Sequence, residues 1–492
     1  MVTRTLLTYL LFCGINTLVN ADSEETASHK GAIQEPVIKT DSIKIDGKAI
    51  DYQVTAATMN IELGDASAEV FYVAYERKKV SEISNRPIMF AFNGGPGSSS
   101  VWLHIGMLGP KYLKLPGDGT TAPSPPVGIQ DNPYSLLDAC DIVFVDPVST
   151  GYSRADDEKK KSSFHGLDAD IESCGEFIRR WITEHERWAS PKFLLGESYG
   201  GVRAAGLSKF LQSRHGMSLN GIVLLSAVLD FATLRATSGM DQSHSVFLPT
   251  YATVAHHHGK IKGNRDIILA NAKAFAFDEY AAALIQGSEL PEKRQTEIAE
   301  KLEQYSGIPT ETWIRHRLRI NPSLFRAELL RAENKTLGRF DARVAWQKPD
   351  PNSDYPQYDP SYSLALGAFS TALKDYLGRE IGYKLEEPYE ILTGKVHPWK
   401  WSGENRIVNV SDRLATAMRD NPHLRVLVMS GYTDLATPPE SVGHSLRHMP
   451  NLPKSLRKNI STVYYDAGHM FYLNAPDLKK SRQDLLNFIE PE

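Results

Sequence analysis

Apolar and polar residues alternate through "SIKIDGKAIDYQVTAATMNIEL" (Ser42 to Leu63) and "AEVFYVAYERKK" (Ala68 to Lys79). A period of two is the mark of antiparallel strands with one wet face, so the chain opens on a β-meander. Then the pattern changes. "PIMFAF", "DIVFVD", "KFLLG", "GIVLLSAV", "RVLVMSG" and "STVYYDAG" are apolar without alternation, and most precede a helical stretch. Runs of this kind suit strands buried on both faces, which a parallel sheet covered by helices supplies. Between the fourth and fifth runs the texture is different. From Phe231 to Glu404 the periodicity is mainly helical, as in "RDIILANAKAFAFDEYAAALIQG", with tyrosines and prolines gathered in "PDPNSDYPQYDPSYS". The expected architecture is an α/β fold, core residues 22–230 and 405–492, interrupted by a mainly helical cap over residues 231–404. A last helix is expected from about Pro476.

The first 21 residues fall outside this scheme. Arg4 precedes "LLTYLLFCGINTLV", and Val19 and Ala21 stand before the acidic Asp22-Ser23-Glu24-Glu25. That order of charged, apolar and small residues marks a secretory signal, with cleavage expected after Ala21. A lipid anchor on Cys13 is the rival, disfavoured by the bulk of Phe12. The apolar run is short for a membrane span, and no other stretch reaches span length. The mature chain is thus expected to be exported without a membrane segment. Cys140 and Cys174 remain after processing; a bridge between them is one reading in an oxidising compartment, but one opens an apparent buried strand and the other lies in an apparent helix, and two buried thiols are the favoured expectation. The formal charge of −4 offers no field for nucleic acid.

"KFLLGESYGGVRAAGLSKFL" places Gly196-Glu197-Ser198-Tyr199-Gly200 between a strand and a helix. Gly-x-Ser-x-Gly in that setting is a nucleophile elbow, a turn so tight that small residues must flank the exposed serine. A serine hydroxyl needs a base, and the base an acid that fixes its tautomer. His469 in "YYDAGHMFY" follows the last strand and is the expected base. For the acid, Asp434 in "SGYTDLATPP" and Asp230 in "SAVLD" both end strands; Asp434 is favoured by its place after the penultimate strand. Asp466 is too near His469 in sequence to reach it. One oxyanion donor is expected from the N–H of Tyr199, the other from an earlier loop. "FNGGPGSSS" (Phe92 to Ser100) is at that place, and Gly95 is the expected donor. A phosphate role for this loop lacks the Gly-Lys-Ser/Thr or Gly-x-Gly-x-x-Gly that would complete it. Ser98 to Ser100 are expected to cap the next helix. His256-His257-His258 read as a polar helix end, since three successive helical residues cannot face one ion.

"NGGPGSSS", "LGP", "NPYSLLDACDIVFVDPVSTGYS", "GESYGG", "SGYTDLATPP" and "AGHM" together resemble the serine carboxypeptidases, the S10 peptidases, in order and rough spacing. The resemblance implies an α/β-hydrolase fold with a helical cap and removal of single C-terminal residues from peptides through an acyl-enzyme. It implies a triad of Ser198, Asp434 and His469, oxyanion donors Gly95 and Tyr199, and no cofactor or metal. It further implies that Asn93, Gly94 and Glu197 bind the substrate's free carboxylate and that Met470 lies near the leaving residue. Glu197 can donate only when protonated, so peptide release should be better on the acidic side of neutrality. The chain departs from the family where Ser98 replaces a frequent cysteine, Met107 a frequent second acid, and "LATPP" a cysteine after the acid. This suits a bacterial-type exported member held by packing. An esterase or acyltransferase on the same triad, or a binding protein on an inactive frame, are the other readings.

Overall fold

The computed structural model describes residues 34–403 and 405–490; the signal segment, with Cys13, lies outside them. A ten-stranded mixed sheet runs through the molecule. Its first three strands, β1 (Val37–Ile45), β2 (Lys48–Leu63) and β3 (Ala66–Arg77), form the expected antiparallel meander. The apolar runs become β4 (Ile88–Phe92), β5 (Asp141–Val145), β6 (Lys192–Glu197), β7 (Gly221–Leu225), β8 (Arg425–Gly431) and β9 (Ile460–Tyr465). Their order is β1-β2-β3-β5-β4-β6-β7-β8-β9, parallel from β5 onward, and a two-residue strand, Arg154–Ala155, pairs with β3.

Continuous apolarity has the expected cause. In β4, Met89 and Ala91 face one hydrophobic core while Ile88, Phe90 and Phe92 face another; Val223 and Leu225 of β7 divide from Ile222 and Leu224 in the same way. Helices α1 (Leu167–Glu184) and α2 (Tyr199–His215) cover the second face, and the C-terminal helix Ala475–Ile489 the first. Strand β9 departs from the expectation: it is the sheet edge, and most of its residues are partly or fully exposed.

Between β7 and β8 the chain builds α3 (Gln242–His257), further helices including Arg265–Phe275, Glu292–Ser306 and Pro360–Asp375, and the hairpin Lys335–Leu337 with Ala345–Gln347. Much of this segment has its own core around Phe247, Tyr251, Trp313 and Phe325. The histidine run closes α3, and His258 and His256 bond the carbonyls of Ala342 and Gly263. Cys140 and Cys174 are buried free thiols, as expected. Among the described residues no helix is long and apolar enough to cross a membrane.

Strand register positions the site. Phe92 pairs with Gly196, Leu225 with both Glu197 and Met429, and Gly431 with Tyr465. The loops that follow β4, β6, β7, β8 and β9 therefore open along one rim at the carboxyl ends of the parallel strands, where α/β sheets place their ligands.

Candidate active site

Ser198 sits in the turn from β6 to α2 at φ 61° and ψ −123°, a conformation that costs a non-glycine residue about 1–3 kcal/mol. Its neighbours show why the turn needs glycine. A Cβ on Gly196 would lie 2.0 Å from the carbonyl oxygen of Gly200, and one on Gly201 2.4 Å from the Cβ of Ala227. The Ser198 N–H donates to the carbonyl of Leu225 at 3.0 Å, tying the elbow to β7.

His469 and Asp434 meet as their chain order suggested. Nδ1–H of His469 donates to Oδ2 of Asp434 at 2.7 Å, and both side chains are buried. The backbone N–H groups of Ala436 and Thr437 donate to Oδ1 at 2.7 and 2.9 Å, so the carboxylate is held in one orientation. With Nδ1 carrying the proton, Nε2 keeps its lone pair. Burial opposes protonation of His469, but the Asp434 carboxylate outweighs it and holds the imidazole above its ordinary pKa. Asp230 does not join this group: its carboxylate caps the turn Phe231–Thr233 through the N–H of Ala232. Asp466 is paired with Arg265.

Nε2 of His469 lies 3.9 Å from Oε1 of Glu197, the residue before the serine. Glu197 is buried, and burial pushes its carboxyl up to about 7 against the opposing pull of His469. The phenol of Tyr472 donates to Oε2 at 2.9 Å. Met107, where a second acid was considered, is buried and apolar, so Glu197 is raised mainly by desolvation, with a smaller push from the Asp434 carboxylate and no carboxyl partner at Met107.

The glycine loop closes the site from the β4 side. A Cβ on Gly94 would stand 2.4 Å from the backbone nitrogen of Tyr199, so the loop lies directly against the elbow. Gly95 has φ +105°, in the region that favours glycine. Its N–H has no acceptor among the described residues, and Tyr199, first in α2, has none within the helix. Asn93 is buried, its Oδ1 accepting from the N–H of Leu103 at 3.1 Å, while Nδ2 has no partner. Met470 packs into the core below the rim. One expectation fails: the hydroxyls of Ser98 to Ser100 do not cap a helix. The helix that follows runs Val101–Leu103 and continues as a π-helix over His104–Leu108, yet Ser100, at its N-cap, makes no cap bond; its Oγ donates instead to the strand carbonyls of Ala91 and Val145. These carbonyls lie near the ends of the strands the loop crosses, and the hydroxyl satisfies them instead of the helix N-terminus.

Several residues of the site escaped sequence reasoning. Oγ of Ser226 donates to the carbonyl of His469 at 2.8 Å, and the His469 N–H donates to the carbonyl of Phe340 at 2.5 Å. Arg203 is buried in α2, paired with Asp170 at 2.9 and 3.1 Å, and donates from Nη1 to the Asn93 carbonyl at 2.7 Å. A cation among the small residues of "GGVRAAGL" was the available signal for the last of these; the others have none, because their partners are remote in sequence.

Fold and rim define an α/β hydrolase. The structure of Kex1ΔP, a prohormone-processing carboxypeptidase from Saccharomyces cerevisiae, superposes with a TM-score of 0.53 at 16% identity, covering 89% of this chain and 90% of that one. A family model, Serine carboxypeptidase, matches residues 54–472, and the chain belongs to that family. Serine carboxypeptidase-like 8 of Arabidopsis thaliana is 29% identical over 140 residues, and serine carboxypeptidase-like 29 of the same plant 28% over 180. These matches span 28% and 35% of this chain, and 30% and 34% of those relatives.

Proposed function

We propose that this chain is a serine-type carboxypeptidase that releases C-terminal residues from peptides. In this reading Ser198 Oγ attacks the last peptide carbonyl and His469 Nε2 takes its proton, then returns it to the leaving amine. Asp434 holds the imidazole and stabilises its charged form. The N–H groups of Gly95 and Tyr199 receive the developing oxyanion, each worth about 100- to 1000-fold in rate. Water then repeats the sequence on the acyl-enzyme, returning Ser198. Residues 231–404 act as a cap over the rim, and removal of residues 1–21 accompanies export.

The observation that carries the reading is the pair of buried donors beside the nucleophile. Asn93 Nδ2 makes no hydrogen bond within the usual distance but lies beside Glu197, where it favours the carboxylate, and burial nonetheless holds Glu197 protonated to near neutrality. An ester or amide hydrolase gains nothing from such groups, whereas a free α-carboxylate accepts from both. The test compares a blocked tripeptide acid with its C-terminal amide. The acid should be cleaved far faster, and Ser198→Ala should lower its turnover by about 10⁴-fold or more. Equal rates on acid and amide would remove the carboxypeptidase reading in favour of a general acyl hydrolase.

A further inference from the structure

The stretch Gly338 to Arg343 comes from the segment between β7 and β8, yet it is fastened to the loops of the triad. The carbonyl of Arg339 accepts from the N–H of Leu435 at 3.1 Å, that of Phe340 from His469, and the N–H of Ala342 donates to Thr433. At its centre stands a cation without a committed partner. The Arg339 guanidinium lies 4.3 Å from the centre of the Phe340 ring, which is itself 5.1 Å from the ring of His469. Its side chain is 47% exposed and makes no hydrogen bond among the described residues.

The nearest carboxylate forms a long ion pair with it but no hydrogen bond. Asp359 approaches Arg339 only to 3.9 Å and Arg326 to 3.8 Å, so one acid faces two guanidinium groups. Oδ1 of Asp359 is occupied by the N–H groups of Arg339 and Ser361 and by the Ser361 hydroxyl, while Oδ2, the oxygen toward Arg339, is buried and makes no hydrogen bond. The next cation along, Arg343, is paired with Asp341 at 2.7 Å and faces Asp118 at 3.6 Å, so its charge is fully matched. The Arg339 guanidinium is thus left at the rim with unoccupied hydrogen-bond donors, and its charge reaches His469, where it opposes protonation of the imidazole.

The wall that bears this charge can be placed. From Phe340 it continues through Tyr362 (6.1 Å between rings) to Trp102 (6.2 Å), whose neighbour Leu103 holds Asn93. It therefore runs from the catalytic histidine to the carboxylate-binding asparagine. A different aromatic group, Trp399 and Trp401 around Tyr199, lies beside the elbow.

We propose that Arg339 is a specificity-determining residue that selects peptides whose C-terminal residue bears a side-chain carboxylate. The inference rests on the carboxypeptidase reading and deepens it. With the α-carboxylate at Asn93 and Glu197, the leaving side chain faces the Phe340, Tyr362 and Trp102 wall. An aspartate or glutamate there meets a guanidinium whose planar donors suit a carboxylate and whose flank is already stacked. Because the group is half exposed, the selection is moderate and weakens with salt.

The experiment uses blocked dipeptides ending in Glu, Gln, Leu or Lys, and a second set varied only at the penultimate residue, at about pH 6 where a glutamate side chain is charged. Glu should exceed its neutral isostere Gln in kcat/KM by about threefold to tenfold, a ratio that shrinks as salt rises. Arg339→Gln should bring the Glu/Gln ratio close to one, and Arg339→Glu should move the preference to Lys. Fluorophosphonate labelling of Ser198 in each variant establishes a folded site, so a changed ratio is read only on intact enzyme. A Glu/Gln ratio that is the same in the parent and Arg339→Gln overturns the proposal, as does a preference confined to the penultimate residue. Failure of the parent reading looks different: Ser198 labels, but no residue is released from any peptide, and the inference falls with it.

Discussion

At the scale of single residues, one proton shared between two side chains governs the proposed chemistry. Glu197 must hold a proton to donate to a peptide carboxylate, while His469 must lack one to act as base. Burial raises Glu197 to about 7, Asp434 holds His469 above its ordinary value, and the two groups lie 3.9 Å apart. Such a pair loses its protons in two coupled steps. Peptide release should fall as pH rises through about 7, when Glu197 becomes a carboxylate, and fall again in acid, when His469 takes a second proton. Glu197→Gln separates the two. An amide donates at every pH, so the alkaline fall should disappear; the acid fall should move to lower pH, because the Glu197 carboxylate no longer helps to hold a proton on His469. Profiles of kcat/KM against pH for both proteins check this, and an alkaline fall retained in Glu197→Gln would assign it elsewhere.

The elements that carry these residues meet through backbone, and that is where glycine matters. Gly94 rests against the first N–H of α2, with room for hydrogen but not for a methyl group. Gly94→Ala would put its Cβ 2.4 Å from the Tyr199 nitrogen, so the loop after β4 must withdraw from the elbow. Turnover should drop by about 100-fold or more through loss of oxyanion geometry, measured as kcat on a peptide acid; melting should change far less. An unchanged kcat would place the oxyanion donors elsewhere. Local constraints of this type are what sequence displays best. Gly196, Ser198 and the apolar strand before them are contiguous, so the elbow could be read directly, and the strand ends carrying Asp434 and His469 followed from chain order. Phe340, Ser226 and Tyr472 could not be read, because they reach His469 or Glu197 across 129, 243 and 275 positions and depend on how separate elements pack. The serines after Gly97 misled for a related reason. Their composition promised a cap, but Ser98 bonds the carbonyl of Ser99, Ser99 that of Ile391, and Ser100 those of Ala91 and Val145.

For the whole molecule, the sheet has two ends with different tasks. The carboxyl ends of the parallel strands hold strained backbone, buried acids and an unpartnered donor, all of which cost stability. At the opposite ends, Asp141 opens β5 and joins the strands beside it. Its Oδ1 accepts from Arg86 Nε at 2.6 Å and from the N–H of Arg77 at 2.9 Å, and its Oδ2 from Arg187 Nη1 at 2.7 Å. Arg86 precedes β4 and Arg187 precedes β6, and each also donates to backbone, Arg86 to Leu137 and Arg187 to Arg86, both at 2.8 Å. All three side chains are buried, so the carboxylate is the counter-charge for two guanidinium groups that water does not reach. Asp141→Asn preserves shape but leaves both cations uncompensated, a change that costs about 3–5 kcal/mol when a buried pair is broken. Strand length separates this clamp from the rim by roughly 15–20 Å. The variant should therefore unfold at clearly lower urea concentration while kcat and KM on a peptide acid stay at parental values below the transition. A fall in kcat with an unchanged unfolding midpoint would mean instead that the clamp sets strand register at the catalytic rim, and that the two ends of the sheet are not independent.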